Sequence, residues 1–441
     1  MKAFRSSVLW FAQPDEHPAQ ARFERDGLLV IAQDGAAGHW VVHAIGDWHS
    51  LHDRFAHVPV EHLPNRIIAP GFVDLHVHFP QTNVIGSPAD GLLPWLEHYT
   101  FPEEARFSDA AYAQASAEFF VDELLRNGVT TALAFATSHP ASVHALNVVA
   151  LQRRMRMVSG LVLMDRNAPQ YLLNQASAAA SPTEQSLRDT ESLIRQWQGQ
   201  GRLGYAITPR FAPTSTEAQL RGAGELAQQY PAVWIQSHVS ENKDEIAWVR
   251  QLYPAAASYL SVYDQFGLLR ERAVYAHCIH FDDRDRALMR ERGAAAAVSP
   301  TSNLFLGSGF FDYAAARRTG FAYGLASDVG GGTSFCPFHT MLAAYYVGRE
   351  GQTKSGLSLS PQHLWWQHTA GAGLAMGLGG GAGAPIAGNL VPGADADFVV
   401  LNPQATPLLA RKTDRAESLD ELLFSFIVLA DDRAIERTHV A

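Results

Sequence analysis

His76 and His78 stand one residue apart, and side chains alternate along an extended strand, so both imidazoles project from the same side and can meet one ion. With His238 and Asp328 they make a set of three nitrogens and one oxygen, which suits zinc or another divalent first-row metal. An isolated His-x-His is a common accident. Its weight here comes from placement, because His76, His78, His238 and Asp328 all end short apolar runs. Other polar groups end runs in the same way: His277, followed by His280, and Arg210 in Thr208-Pro209-Arg210-Phe211. Glu241, three residues past His238, reads alone as a helix-start carboxylate. Beside a metal-activated water it becomes a proton shuttle. His277 reads equally as a core histidine or a functional one. Cys278 and Cys336 read as packing residues, and Trp365-Trp366 as core or interface.

The elements that must position these groups follow from periodicity. Eight short apolar runs recur between stretches of helical period: 71–75, 129–135, 157–163, 204–207, 233–236, 273–276, 294–298 and 322–326. Helices are predicted between them, among others over Asp109–Asn127, Glu184–Gln198 and Thr216–Gln229. That alternation predicts an α/β fold, a closed (β/α)8 TIM-like barrel whose chemistry lies at the C-terminal ends of its strands. Five of the eight runs deliver ionisable side chains there. Both chain ends read as β: Ser7–Ala12, Gly27–Ala32, His39–Ile45 and Arg66–Ala69, then Asp397–Leu401 and a possible strand at Leu422–Ala430. They predict a small β-sandwich domain of residues 1–69 plus 388–441, beside a barrel of residues 70–387. The glycine-rich stretch Gly371–Gly388 reads as the link, not a phosphate loop.

Composition narrows the setting. At 441 residues and 47% hydrophobic content the chain can bury a large core, which excludes an intrinsically disordered protein. A formal charge of −10 and no basic run oppose nucleic-acid binding. Two cysteines make no disulfide framework and fit a reducing compartment. Val8–Ala12 is too short for a signal segment, and no uncharged apolar run reaches the ~18–20 residues of a membrane span. A cytoplasmic protein without a membrane partner is expected.

Specific motifs add a family. Pro70-Gly71-Phe72-Val73-Asp74-Leu75-His76-Val77-His78 resembles the first-strand motif of the amidohydrolase superfamily. Phe79-Pro80-Gln81-Thr82, the stretch Trp95–Glu103, Met164–Pro169, Thr208–Ser215, Ser237–Asn242, Ser299–Gly309 and Ser327–Gly332 are similar to the guanine deaminases within it. The resemblance implies one Zn2+ per subunit, with Fe2+ or Co2+ as alternatives, on His76, His78, His238 and Asp328. It implies a proton shuttle at Glu241, with His277 and Asp328 completing the catalytic set. Purine contacts fall on Gln81, Arg210 and Phe211, with His238 and Glu241 also facing substrate. The activity implied is hydrolytic deamination of guanine to xanthine and ammonia, in a homodimer. A related ring (8-oxoguanine, isoguanine, a pterin or a triazine) is the alternative within the chemistry. A non-catalytic scaffold is the alternative outside it, set against the retention of all four ligands and Glu241.

Overall fold

Leu28, Leu29, Val30 and Ile31 are all fully buried, so the strand that carries them is covered on both faces. The computed structural model describes residues 1–12, 20–34, 38–88, 90–173, 180–351 and 356–441. Its strands before the barrel are β1 (Lys2–Phe11), β2 (Ala21–Gln33), β3 (Trp40–Asp47) and β4 (Val60–Pro70). Next come β5 (Phe72–His78), β6 (Val129–Phe135), β7 (Arg156–Gly160), β8 (Val162–Leu163), β9 (Leu203–Pro209), β10 (Trp234–Val239), β11 (Ala273–His277), β12 (Ala295–Val298) and β13 (Ala322–Leu325). The last two are β14 (Phe398–Leu401) and β15 (Ile435–His439).

The chain ends share one continuous six-stranded sheet, ordered β15-β14-β4-β1-β2-β3. Leu29 and Ile31 pack with Phe4, Val8 and Ile68 on one face. Leu28 and Val30 pack with Ala3, Phe55 and Val58 on the other. The run 422–430 is not a strand. It lies in a helix, Leu419–Leu429, capped by the Ser418 side chain on the Glu421 N–H. Leu423, Phe426 and Ile427, spaced three and four apart, are its buried face; an apolar stretch this dense hides its period.

The barrel is parallel, in the order β13-β12-β11-β10-β9-β7-β6-β5, with β8 paired to β9. At least one inward residue from each position, among them Val73, Leu133, Val158, Ala206, Trp234, Val274, Ala297 and Ala326, joins a single inner cluster. Helices cover the outside, including Ala110–Arg126, Pro182–Trp197 and Glu217–Gln229, capped by Asp109, Ser181 and Thr216. Part of the glycine-rich stretch forms a short helix, Ala370–Ala375, and Ala372 and Met376 enter the inner cluster from below. Gly324 makes room for that helix, since a Cβ there would stand 2.9 Å from the Ala372 Cα and 2.6 Å from Leu75.

Strand β5 aims the two histidines by an irregularity. Val73 and Leu75 belong to the inner cluster while Val77 belongs to the outer one. The register shift between Asp74 and Val77 makes that exchange and leaves His76 and His78 facing inward. The seam between β5 and the segment after β13 is held by backbone bonds from Asp328 N to His76 O and from His78 N to Val329 O, both 2.8 Å. Asp74 accepts from the Ser327 N–H at 3.0 Å and the Ser327 hydroxyl at 2.5 Å across the same seam.

At the opposite end of the barrel, Arg156 and Arg202 meet Asp395 and Asp397, just before β14. Arg156 Nη2 lies 2.5 Å from Asp395 Oδ2, and Arg202 Nη1 lies 3.0 Å from Asp397 Oδ1. These buried pairs fasten the chain-end sheet to the strand starts of β7 and β9. No described helix is long and apolar enough to cross a membrane.

Candidate active site

At the C-terminal ends of the strands, side chains from β5, β10, β11 and the segment after β13 converge. His78 Nε2 lies 3.2 Å from both His76 Nε2 and His238 Nε2. Asp328 Oδ1 lies 3.1 Å from His76 Nε2 and 3.4 Å from His78 Nε2. His238 Nδ1 stands 2.6 Å from the Arg210 carbonyl. A carbonyl only accepts, so Nδ1 carries the proton and Nε2 turns a lone pair toward the cluster. Burial pushes the His78 imidazole down to about 4, against the pull of Asp328. His238 falls well below its ordinary value, through burial and then the charges of His76 and His78. Burial raises the Asp328 carboxyl, but the histidines around it override that and hold it well below the usual range. Imidazole nitrogens crowded against one another beside a carboxylate fit a cation among them, and three nitrogens with one oxygen fit zinc.

Glu241 sits past the end of β10, where Ser240 takes a left-handed backbone, φ 50°. The helix Lys243–Leu252 begins only after it, with Asn242 as cap and Glu245 returning to the cap backbone. Glu245, not Glu241, is therefore the helix-start carboxylate, and it also accepts the Glu241 N–H at 3.0 Å. Glu241 is free to face the cleft. Its Oε1 accepts from the Ser308 hydroxyl at 2.9 Å, and its Oε2 lies 3.4 Å from His277 Nε2. Burial, then the charge of Asp328, pushes the Glu241 carboxyl up to about 8.

His277 ends β11 with φ 73°, which departs from strand alternation and turns its ring to the site. The Asn303 Oδ1 lies 2.8 Å from its Nδ1, leaving Nε2 toward Glu241 and, at 3.8 Å, Asp328 Oδ2. Its ring nitrogen also lies with those of His76 and His238, all within 4.8 Å of one another. His280 points elsewhere, to the Ser308 carbonyl.

A cleft opens above the cluster. Its polar groups include Gln81, Arg210, His238, Glu241, His277 and Asp328, and its apolar walls include Leu92, Trp95, Leu96, Phe211 and Leu306, a lining suited to a flat ring. All the site residues expected from the sequence thus share one cleft, with His76 beneath it. Sequence reasoning missed Glu104, Glu245, Asn303 and Ser308. The last two stand inside a family-like stretch without a signal of their own. Glu104 is one of a buried glutamate doublet in which sequence offers no ground for choosing the member that meets Arg210 and Gln81.

Residues 67–441 match the amidohydrolase family. A guanine deaminase of Escherichia coli is 41% identical over 448 aligned residues, covering 100% of this chain and 96% of that protein. The solved structure of E. coli guanine deaminase superposes with a TM-score of 0.92, covering 100% of this chain and 98% of that one. A guanine deaminase from C. acetobutylicum, solved with guanine bound in the active site, gives a TM-score of 0.87 at 30% identity, covering 100% and 98%. The chain belongs to the amidohydrolase family, among its guanine deaminases.

Proposed function

We propose that this chain hydrolyses guanine at C2, giving xanthine and ammonia, and that one zinc ion on His76, His78, His238 and Asp328 serves the reaction. One observation carries the proposal: the three-nitrogen, one-oxygen cluster and Glu241 share a flat, apolar-walled cleft with Arg210 and Gln81. Zinc in such a set supplies Lewis acidity and brings the ionisation of water toward pH ~7. The protein's own groups do the rest. Glu241, protonated near neutral pH, gives its proton to ring N3 and makes C2 electrophilic. His277 and Asp328 orient the attacking water and take up its proton. That proton passes to the amino group, the C2–N bond breaks as C2–O becomes a carbonyl, ammonia leaves, and the hydroxyl proton returns to Glu241.

Arg210 and Gln81 account for recognition. A guanidinium only donates, and guanine offers O6 and N7 as adjacent acceptors. Adenine carries an amino group in place of O6, where a donor would meet a donor. Phe211 and the leucines wall the ring. A reducing, cytoplasmic setting and a homodimer complete the proposal; two buried, unpaired cysteines support the first, and light scattering tests the second. The division into residues 70–387 and 1–69 plus 388–441 is also proposed, supported by the separate apolar clusters of the chain-end sheet.

The test is direct. Purified protein of known metal content is incubated with guanine, and xanthine and ammonia are followed, with 8-oxoguanine, isoguanine and adenine in parallel. Metal-dependent turnover of guanine is expected. Turnover of another ring alone moves the substrate, and no turnover by fully metallated protein removes the proposal.

A further inference from the structure

Behind the cleft lies a carboxylate that does not line it. Glu104, fully buried in the short helix Phe101–Ala105, accepts from Arg210 Nη1 at 2.6 Å with Oε2 and from Gln81 Nε2 at 3.1 Å with Oε1. Each oxygen therefore holds a different side chain, and both of those side chains reach the cleft. The contact with Glu104 also settles which way the Gln81 amide faces. Its Nε2 must point to the carboxylate, which only accepts, so its Oε1 receives the Gly330 N–H at 3.3 Å. Arg210 is fixed on a second side by the Phe101 ring, 5.2 Å from the guanidinium carbon. Among the described residues no protein acceptor meets its Nε or Nη2. What remains free on Arg210 are the N–H groups of Nε and Nη2 and the second N–H of Nη1, and on Gln81 one N–H and one acceptor lone pair.

We propose that Glu104 is a positioning residue that sets substrate specificity: by gripping Arg210 and Gln81 together it fixes the direction in which each presents its remaining hydrogen-bonding groups to the purine. This rests on guanine being the ring that the cleft takes. The Coulomb attraction to Arg210 could be matched by a carboxylate placed elsewhere. The double grip could not, because it ties the two reading residues to one point and so to one spacing. Arg210 also gives up one Nη1 hydrogen to Glu104, so its donors toward the ligand are those that the planar fork presents on its other edges. A site built to satisfy particular acceptors rejects a ring that lacks them, since its own donors are then left unpaired.

The experiment compares guanine with 2-aminopurine, which has the same C2 amino group but no O6. Glu104→Gln keeps the volume but offers one acceptor where two were needed. Expected are a rise in guanine KM of about tenfold or more, kcat within about threefold, and unchanged metal content, as for a residue that acts through binding. The preference for guanine over 2-aminopurine should fall by about tenfold as well. In a double-mutant cycle with Arg210→Met, the two losses in kcat/KM should fail to multiply. A merely structural role would lower the melting temperature and leave the guanine to 2-aminopurine ratio in place; an unchanged ratio overturns the proposal, as do losses that multiply independently. Should Glu104→Gln not fold, Glu104→Asp, which keeps the charge on a shorter reach, decides by the same ratio. Failure of the wild-type protein to turn over guanine would count against guanine deamination itself, and is seen before any variant is made.

Discussion

Glu241 has a hydrogen-bond donor on one oxygen and a histidine near the other, and the two neighbours ask different things of it. Ser308 fixes the side chain in place, and His277 offers a route for a proton. Glutamine has the same shape and can still accept from Ser308, but it cannot carry a proton. Glu241→Gln is expected to retain metal while kcat falls by about 10²–10⁴-fold; undiminished turnover with full metal content would take Glu241 out of the reaction. Arg210→Met should raise guanine KM without changing metal content, and unaltered guanine kinetics would show that Arg210 does not read the ring. At this scale the sequence is informative where chemistry concentrates at strand ends, as at His76, His78, His238, His277 and Asp328. It is silent on Glu104, whose partner Arg210 lies far along the chain and whose burial depends on a short helix packing behind the cleft.

Between elements, the junction of Arg156 and Arg202 with Asp395 makes the clearest claim. Burial raises the Asp395 carboxyl, and attraction to the two guanidinium groups overrides it and holds it below its usual range. A carboxyl depressed in the folded state stabilises fully above its unfolded value, ~3.9, and loses that contribution as pH falls through the folded value. Asp395→Asn leaves the buried Arg156 guanidinium without its carboxylate, while Arg202 keeps Asp397, so it should cost about 3–5 kcal/mol at pH 7. In denaturant titrations, the gap between wild type and variant should narrow below about pH 4. A gap that does not change with pH would assign the loss to packing instead. Phe426→Ala should also destabilise, by about 3–5 kcal/mol, since the ring is fully buried on the helix that sequence period failed to distinguish from a strand. The register shift in β5 was equally hidden: Phe72–His78 reads as a plain alternating strand, and only pairing with β6 reveals that Val77 has changed sides.

For the whole molecule, the barrel seam and the ligand cluster are the same place. His76 and His78 come from β5, Asp328 follows β13, and the backbone bonds that close the seam run through these very residues. A cation held there would bind the folded barrel and not the open one, adding about 2.7 kcal/mol at a hundredfold excess over Kd. Chelation is expected to lower the melting temperature, and zinc to restore it; identical melting of stripped and loaded protein would separate the ligand cluster from closure. The barrel itself was legible because its strands alternate with helices throughout. Closure was legible as well, because strand-end His76, His78 and Asp328 were expected at one site; the backbone bonds that make the seam, Asp328 N to His76 O and His78 N to Val329 O, were not.

That meeting also sets a timetable. A chain emerging N-terminus first exposes His76 and His78 early, a two-point chelate of little strength. It gains the third ligand only at residue 238 and the fourth only at 328, by which time every barrel strand has left the ribosome. Through most of its synthesis the nascent protein would thus compete poorly for a divalent metal, and a cation bound at this cluster would be captured late, by a barrel already complete enough to keep it.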